Sequence, residues 1–501
     1  MNSSDSERLS AVLENAGYKK APSIEHADLV AYNTCSVRQT AEDRVFGANN
    51  LVARLKNKNP RLKVLLTGCM VHYGERELKK RLPKFDIFLN IKDMARLPAI
   101  LGINKASAAK EYLEIAPSVE SRFSAVVPIS YGCDNFCSYC IVPFARGGEY
   151  SRPAKEILAE IKRAVKNGYK EIWLLGQNVN SYGLKDKTFW ANKKMGNPST
   201  GLPRQNSGQV MASKPQIEKG RLSFAGLIRE IDKIEGNFWL RFTSPHPKDF
   251  SQELIEALAE SKHFKHYINL PIQSGDNTIL RKMNRFYTAN DYQKLVKNIR
   301  KAMPSISLST DIIVGFPGET KKQFRNTAKL MQKIGFDMAY ISKYSPRPKT
   351  VAAKKYKDDI SLEEKKRRFD VLNKILRASG LKNNKKYYGK DMPVLVDSVN
   401  PHTLSSNNKL SKKSSKPHHL DATKSQNLRE GVGVKDGQVF GKTETYKSVK
   451  LTVPKNSAKR LLGKTVNVKI TKVRDFSLEG ELTPGHKKTK GSLNQSKHRK
   501  P

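Results

Sequence analysis

The sequence predicts an α/β protein in three parts: an open α/β domain at the N-terminus, a central partial (β/α)6 barrel, and a small all-β module at the C-terminus. Three observations predict it. Apolar strand runs alternate with amphipathic helical runs from the N-terminus to about residue 350. Six strand–helix units follow one another between 124 and 350, too few for a closed eightfold barrel but enough for a partial one. Beyond residue 387 the helical period gives way to short alternating runs.

The first domain is expected over 1–105. A helix starts near Ser6, runs to Ala16 and ends at Gly17. Two buried-strand runs follow, Ala27 to Tyr32 and Leu62 to Thr67, and each leads straight into a cysteine, Cys35 and Cys69. Binding residues gather where parallel strands end in such sheets. One shared site and two ordinary buried thiols both stand as readings of this pair. The central domain is expected over 120–350, with strand ends near Ser130, Gly176, Thr243, Pro271, Val314 and Tyr344. Amphipathic helices fall between them, at Lys155 to Gly168, Gln252 to Ser261, Asn290 to Met303 and Lys322 to Gly335. The run Gly315 to Glu319 is glycine-rich but matches neither phosphate-binding fingerprint, so it reads as a tight strand-to-helix turn. A helical linker over 351–387 leads to the β module over 388–482, with runs at Pro393 to Val399, Gln438 to Pro454 and Leu462 to Leu482. Residues 184–222 and 401–436 read as disordered insertions, and 483–501 as a basic disordered tail.

Lys and Arg total 92 against 47 acidic residues in a chain of 501, a formal net charge of +45. Such an excess points to a polyanionic partner, nucleic acid before acidic membrane, against the plainer reading of a solvated lysine-rich surface. Five cysteines in no disulfide-like framework argue for a reducing compartment. No apolar run approaches the ~20 residues of a membrane span, and the polar, acidic N-terminus is no signal peptide. These features predict a cytoplasmic enzyme, not membrane-bound.

The strongest chemical signal is the run Tyr131 to Ile141, which carries Cys133, Cys137 and Cys140 as C-x3-C-x2-C with Tyr139 before the last cysteine. Three thiolates on one loop can hold three irons of a 4Fe–4S cluster and leave the fourth open to a small molecule. Structural zinc needs four ligands, and this loop offers three.

The cysteine loop resembles the signature of the radical S-adenosylmethionine (SAM) enzymes. Further runs make the chain similar to the methylthiotransferase family, in its MiaB-type branch acting on tRNA isopentenyladenosine. They are Asn33 to Arg44, Leu175 to Tyr182, Arg241 to Asp249, Leu270 to Gly275, Asp311 to Thr320 and Tyr344 to Pro348. The run Gly176-Gln-Asn-Val-Asn-Ser-Tyr182 favours the tRNA adenosine branch. The resemblance implies a 4Fe–4S cluster at Cys133, Cys137 and Cys140 that binds SAM, and its cleavage to a 5′-deoxyadenosyl radical. It implies a second 4Fe–4S cluster in the N-terminal domain, with Cys35 and Cys69 among its ligands, used for sulfur handling. The β module resembles a TRAM domain, which in relatives grips tRNA, here through its anticodon loop. Lys442, Lys447, Lys450, Lys455, Lys459, Arg460, Lys464, Lys469, Lys472 and Arg474 are expected to line it. An electron donor such as flavodoxin or ferredoxin, a sulfur donor and a monomeric state are also implied.

Strand-end residues are the expected SAM contacts: Gly176, Gln177, Asn178, Arg241, Ser244, Gln273, Asp311 and the backbone at Tyr139. A cation at 241 could pair with the SAM carboxylate. Capping roles for Gln273 and Asp311, and a salt-bridge role for Arg241, are the plainer alternatives. The sequence departs from the family twice. The first cysteine of the N-terminal motif, with the strand leading to it, is expected just upstream of Met1. Lys349 stands where relatives usually have glycine. Rival functions are a sister methylthiotransferase acting on threonylcarbamoyladenosine or a ribosomal protein, and a tRNA-binding protein inactive through loss of the auxiliary cluster.

Overall fold

A computed structural model describes residues 1–36, 39–103, 112–118, 123–184, 217, 220–400 and 436–483. Most of both expected insertions, and the tail after 483, lie outside the described residues. The chain forms two compact units, residues 1–383 and 384–501.

The first unit begins with the helix Asn2–Asn15 and a three-stranded parallel sheet, β1 (Leu29–Thr34), β2 (Lys63–Gly68) and β3 (Ile87–Phe88), in that spatial order. Both faces of the sheet are covered, which is why β2 reads as a continuous apolar run rather than an alternating one. Leu65 packs on one side with Leu9, Val12 and Ile91; Leu66 packs on the other with Val52, Leu55 and Leu78. The register pairs Thr34 with Gly68, so Cys35 and Cys69 leave adjacent strand ends.

Six parallel strands follow: β4 (Ser124–Pro128), β7 (Glu171–Leu175), β8 (Trp239–Phe242), β9 (Tyr267–Asn269), β10 (Ser307–Val314) and β11 (Met338–Lys343). Hydrogen bonding gives β4-β7-β8 and β9-β10-β11, and a parallel bridge from Leu240 to Phe264 joins the two sets in chain order. This is the expected six-unit arc. Its helices are well specified. Thr288 and Asp291 form a capping box on Ala289–Ala302, Thr320 and Gln323 form one on Lys321–Ile334, and Gly335 closes the latter helix at φ 65°. The Gly315–Glu319 run is a buried turn. The Gly315 amide donates to Glu319 Oε2 (2.8 Å), and Arg368 Nη1 donates to the same oxygen (2.6 Å).

A short antiparallel pair, β5 (Ser130–Tyr131) with β6 (Tyr150–Ser151), closes the base of the cysteine loop. The sequence did not predict it, because strands of two residues carry no period.

The second unit is a closed barrel of β12 (Asp391–Val399), β13 (Asp436–Thr443), β14 (Ser448–Pro454), β15 (Thr465–Val473) and β16 (Ser477–Leu482), in the order β12-β13-β14-β16-β15. Closure leaves no free sheet edge. Alternate residues point inward, so Val439, Val449, Leu451, Val453, Val468, Ile470 and Leu478 form one core with Val394 and Val396.

Candidate active site at the strand ends

The cysteine loop leaves β5 through Gly132, at φ 76°, where any Cβ would strike the carbonyl oxygen of Gly148. The Cys133 amide donates to the Gly147 carbonyl (3.2 Å), and the Cys140 amide to the Cys137 carbonyl (2.9 Å). Ser138 fixes the middle of the loop. Its amide donates to Met283 O, its hydroxyl donates to Lys282 O (2.7 Å), and its carbonyl accepts from the Ala352 amide (2.7 Å). The Tyr139 ring packs against Ile279, Met283, Phe316, Tyr344 and Ala352. The loop is therefore held by backbone and neighbours rather than by its sulfurs.

Two N–H groups approach those sulfurs. Asn135 Nδ2 donates to Cys133 Sγ (3.4 Å), and Arg285 Nη1 donates to Cys137 Sγ (3.5 Å). Burial raises the Cys133 thiol pKa, with Cys137 and Cys140 adding to the rise, and burial with Cys137 pushes Cys140 up to about 12. Among the described residues, no three His, Cys, Asp or Glu side chains are gathered to hold a single metal ion. The fit to a cluster lies instead in three thiols on one braced loop with donors aimed at two of them, since hydrogen bonds to sulfur are a feature of iron–sulfur sites.

Cys69 follows Gly68, whose φ of 88° and close approach to the Thr34 backbone admit no side chain. Burial raises the Cys69 thiol pKa, while the neighbouring Arg146 guanidinium lowers it and Cys35 raises it further. Arg146 belongs to the short helix Val142–Arg146 just after the cysteine loop, and its guanidinium also forms a buried ion pair with Asp5. The field of Cys69 reaches Cys140 as well. The two cysteine groups thus share one region of the first unit.

On β5 and just past the ends of β7 and β11 lie buried polar atoms with no hydrogen-bond partner among the described residues: Ser130 Oγ, Tyr131 Oη, both amide atoms of Gln177, Asn178 Oδ1 and Tyr344 Oη. Each unmet buried group costs roughly 1–3 kcal/mol. Their position at strand ends is one where a polar ligand could complete them. Gly176 lets Ser130 approach the end of β7, because a Cβ there would meet Ser130 Oγ. Asn178 Nδ2 is oriented by Asp249 Oδ2 (2.7 Å).

Ser244 and Gln273 have φ of 60° and 71°, a left-handed conformation that costs a non-glycine residue about 1–2 kcal/mol. Both follow strand ends. Gln273 is pinned in a parallel bridge to Ile312 and donates its amide to Asp311 O (2.8 Å). The Asp311 carboxylate accepts from Asn269 Nδ2 (2.9 Å). Arg241 is placed differently from the expected SAM contact. It is fully buried between Trp173 and Trp239 and donates through Nε to Glu171 Oε1 (2.7 Å), so its charge already has a protein partner.

Three residues at the site carry no signal that the sequence reading caught. Arg285 sits at the cysteine loop. His246 is buried and held neutral, its pKa lowered by burial and then by Arg285 and Lys248. Glu149 accepts a short hydrogen bond from Ser181 Oγ. His246 lies in the Arg241 to Asp249 run, the other two lie outside the named runs, and nothing in periodicity shows where such side chains converge.

Lys349 explains its own departure from the family pattern. Its φ is 72°, which glycine adopts freely, and its ammonium donates to the His72 carbonyl. Lys349→Ala should keep the strain and lose the tether, lowering stability by about 1 kcal/mol. Lys349→Gly should regain most of that by relieving the backbone, about 1 kcal/mol. Urea unfolding of the two variants checks the order.

A family described as "Radical SAM superfamily" matches residues 127–331, "Uncharacterized protein family UPF0004" matches 1–90, and "TRAM domain" matches 429–483. The chain is 37% identical over 494 residues to a protein named tRNA-2-methylthio-N(6)-dimethylallyladenosine synthase from Clostridium botulinum, covering 96% of this chain and 94% of that relative. A protein of the same name from Lachnoclostridium phytofermentans is 40% identical over 80% of this chain and 83% of its own length. Among solved structures, a radical S-adenosylmethionine methyltransferase from Kitasatospora setae covers 69% of this chain and 68% of its own, at 14% identity and TM-score 0.45. A likeness of that size says nothing about function.

Proposed function

The chain belongs to the radical SAM methylthiotransferase family, and from that premise we propose that it places a methylthio group on carbon 2 of isopentenyladenosine at position 37 of tRNA. That carbon is neither acidic nor electrophilic enough for polar substitution, which is why the chemistry is left to a cofactor. Bound at the cysteine loop, a 4Fe–4S cluster with an open iron supplies the electron that cleaves the SAM sulfonium.

The protein's own residues hold, orient and dry the site. Cys133, Cys137 and Cys140 hold the cluster, with Asn135 and Arg285 donating to its thiolates. Gln177, Asn178, Ser130 and Tyr131 offer the unmet polar atoms that SAM and the adenine complete. Gly176 lets Ser130, which carries one of those unmet atoms, sit against the end of β7. Ser244 and Gln273 stand in strained left-handed turns past strand ends, and Asp311 fixes the Gln273 backbone. The Tyr139 side chain anchors the loop, leaving its backbone to the adenine. His246, neutral and buried, offers a hydrogen bond without charge. Cys35 and Cys69 are two of the thiolates of the auxiliary cluster, with Arg146 beside Cys69. The observation that supports this reading most is the set of buried polar atoms at these strand ends that find no partner among the described residues.

The β module takes the tRNA and the anticodon loop offers a base that can be splayed into the site. Lys442 and Lys450 lie on the outer face of adjacent strands, flanking the exposed Phe440. Lys447 is instead buried, its ammonium over the Tyr387 ring, and the Lys455 side chain lies outside the described residues. Paired Lys442→Glu and Lys450→Glu changes should weaken tRNA binding at low salt and flatten its salt dependence by about two phosphate contacts. Filter binding across a salt series measures this. We place the reaction in the cytoplasm, with a one-electron carrier of the flavodoxin or ferredoxin type as reductant. Among the described residues, no helix is long and apolar enough to cross a membrane.

Nucleoside analysis tests the assignment. Deleting the gene should remove methylthio-isopentenyladenosine from the tRNA pool and leave isopentenyladenosine in its place. An intact methylthio pool in the deletion strain would refute it.

A further inference from the structure

Among the described residues, seven arginines are buried to a few per cent exposure: Arg8, Arg146, Arg152, Arg241, Arg285, Arg347 and Arg368. Six of them pair with a buried carboxylate: Arg8 and Arg152 with Glu160, Arg146 with Asp5, Arg241 with Glu171, Arg347 with Glu42, and Arg368 with Glu319. Arg285, 6% exposed, makes no ion pair with a carboxylate among the described residues. Its Nε donates to Tyr287 Oη (2.8 Å), its Nη2 to Pro271 O (2.7 Å) and its Nη1 to Cys137 Sγ (3.5 Å). Two partners are neutral, and the third is a thiol the iron must deprotonate. A buried guanidinium without a counter-charge is strongly disfavoured. A thiolate-ligated cluster at Cys137 would supply the counter-charge that the described residues do not.

We propose that Arg285 is a positioning residue whose buried charge anchors the cluster at Cys137 and eases its one-electron reduction. The inference rests on the assignment of Cys133, Cys137 and Cys140 as cluster ligands. A 4Fe–4S core with three thiolates is anionic and becomes more so on accepting an electron from the external carrier, so a fixed cation beside one thiolate stabilises the reduced form. The same guanidinium ties Pro271, just past β9, to the cysteine loop, so the charge is held by the barrel rather than by a mobile side chain. Tyr287 completes the brace by donating to Ile272 O (3.0 Å).

The test uses the full-length chain, reconstituted anaerobically as the Cys35→Ala/Cys69→Ala variant, so that only the loop cluster reports. The reduction potential is measured by EPR-monitored titration and the iron content by chemical assay. Arg285→Gln should retain about four irons and shift the reduction equilibrium toward the oxidised state by about tenfold, about 59 mV for one electron. Arg285→Lys, which keeps the charge but loses the three-way fork, should shift it by about threefold. An unchanged potential in Arg285→Gln with its iron in place overturns the proposal. If Arg285→Gln does not hold iron, an unchanged potential in Arg285→Lys overturns it, and a shift of about threefold supports it. A parent that binds no iron overturns the cluster assignment itself, and this proposal with it.

Discussion

Cys133→Ala should abolish methylthio transfer, forfeiting the whole of an acceleration that enzymes commonly place at about 10⁶-fold or more. The reasoning is one of attachment. Three thiolates hold three corners of a cluster, and two leave it exchangeable and misplaced against the ligand. The fold should survive. The loop is braced by the Cys133 amide on Gly147 and by the three hydrogen bonds of Ser138, none of which uses a cysteine sulfur. The expected result is an unchanged far-UV circular dichroism spectrum, loss of the loop cluster's iron, and no methylthio product from isopentenyladenosine-containing tRNA. Appreciable product from this variant would mean that the open iron lies elsewhere.

Asp5→Ala should be among the most destabilising single changes in the first unit outside its apolar core. Asp5 and Arg146 are 0% and 3% exposed in their side chains, and Asp5 also accepts a short hydrogen bond from Tyr112. Removing the carboxylate leaves a buried guanidinium unpaired, at a cost of about 3–5 kcal/mol. That is a large share of the roughly 5–15 kcal/mol that holds a domain together. The double variant Asp5→Ala/Arg146→Met should be more stable than Asp5→Ala alone, because no buried charge then remains. Trp173 and Trp239 both lie in this unit and report its unfolding in urea. Additive losses in the double variant would show that the pair is not coupled. Because Arg146 also neighbours Cys69, the single variant should lose auxiliary iron before it loses loop iron.

The strand ends were legible in the sequence because a buried parallel strand reads as a short apolar run that stops abruptly. Cys35, Cys69, Gly176 and Gln273 all stand just past such stops, and the structure places them at strand ends. The glycine-rich Gly315–Glu319 turn was legible too, since it lacks the spacing of a phosphate loop. What the sequence could not carry is which side chains meet. Arg241 looked available at the end of its strand, but parallel register pairs it with Trp173, and its side chain reaches Glu171 two residues back on the neighbouring strand. Arg285 reads as one more cation in a basic run, and its importance comes from a contact across 148 residues of chain to Cys137. The left-handed turns at Ser244 and Gln273 leave no mark either, because neither residue type is diagnostic of that conformation. In the β module, alternation exposed the strands. The parallel pairing of β14 with β16 that helps close the barrel depends on non-local contacts.

The most direct test of the account separates the two cysteine groups. The Cys35→Ala/Cys69→Ala chain, reconstituted anaerobically and given SAM and dithionite, should bind about four irons and form 5′-deoxyadenosine while leaving tRNA unmodified. If iron is bound and no 5′-deoxyadenosine appears, the loop at Cys133, Cys137 and Cys140 does not cleave SAM, and the central claim is wrong.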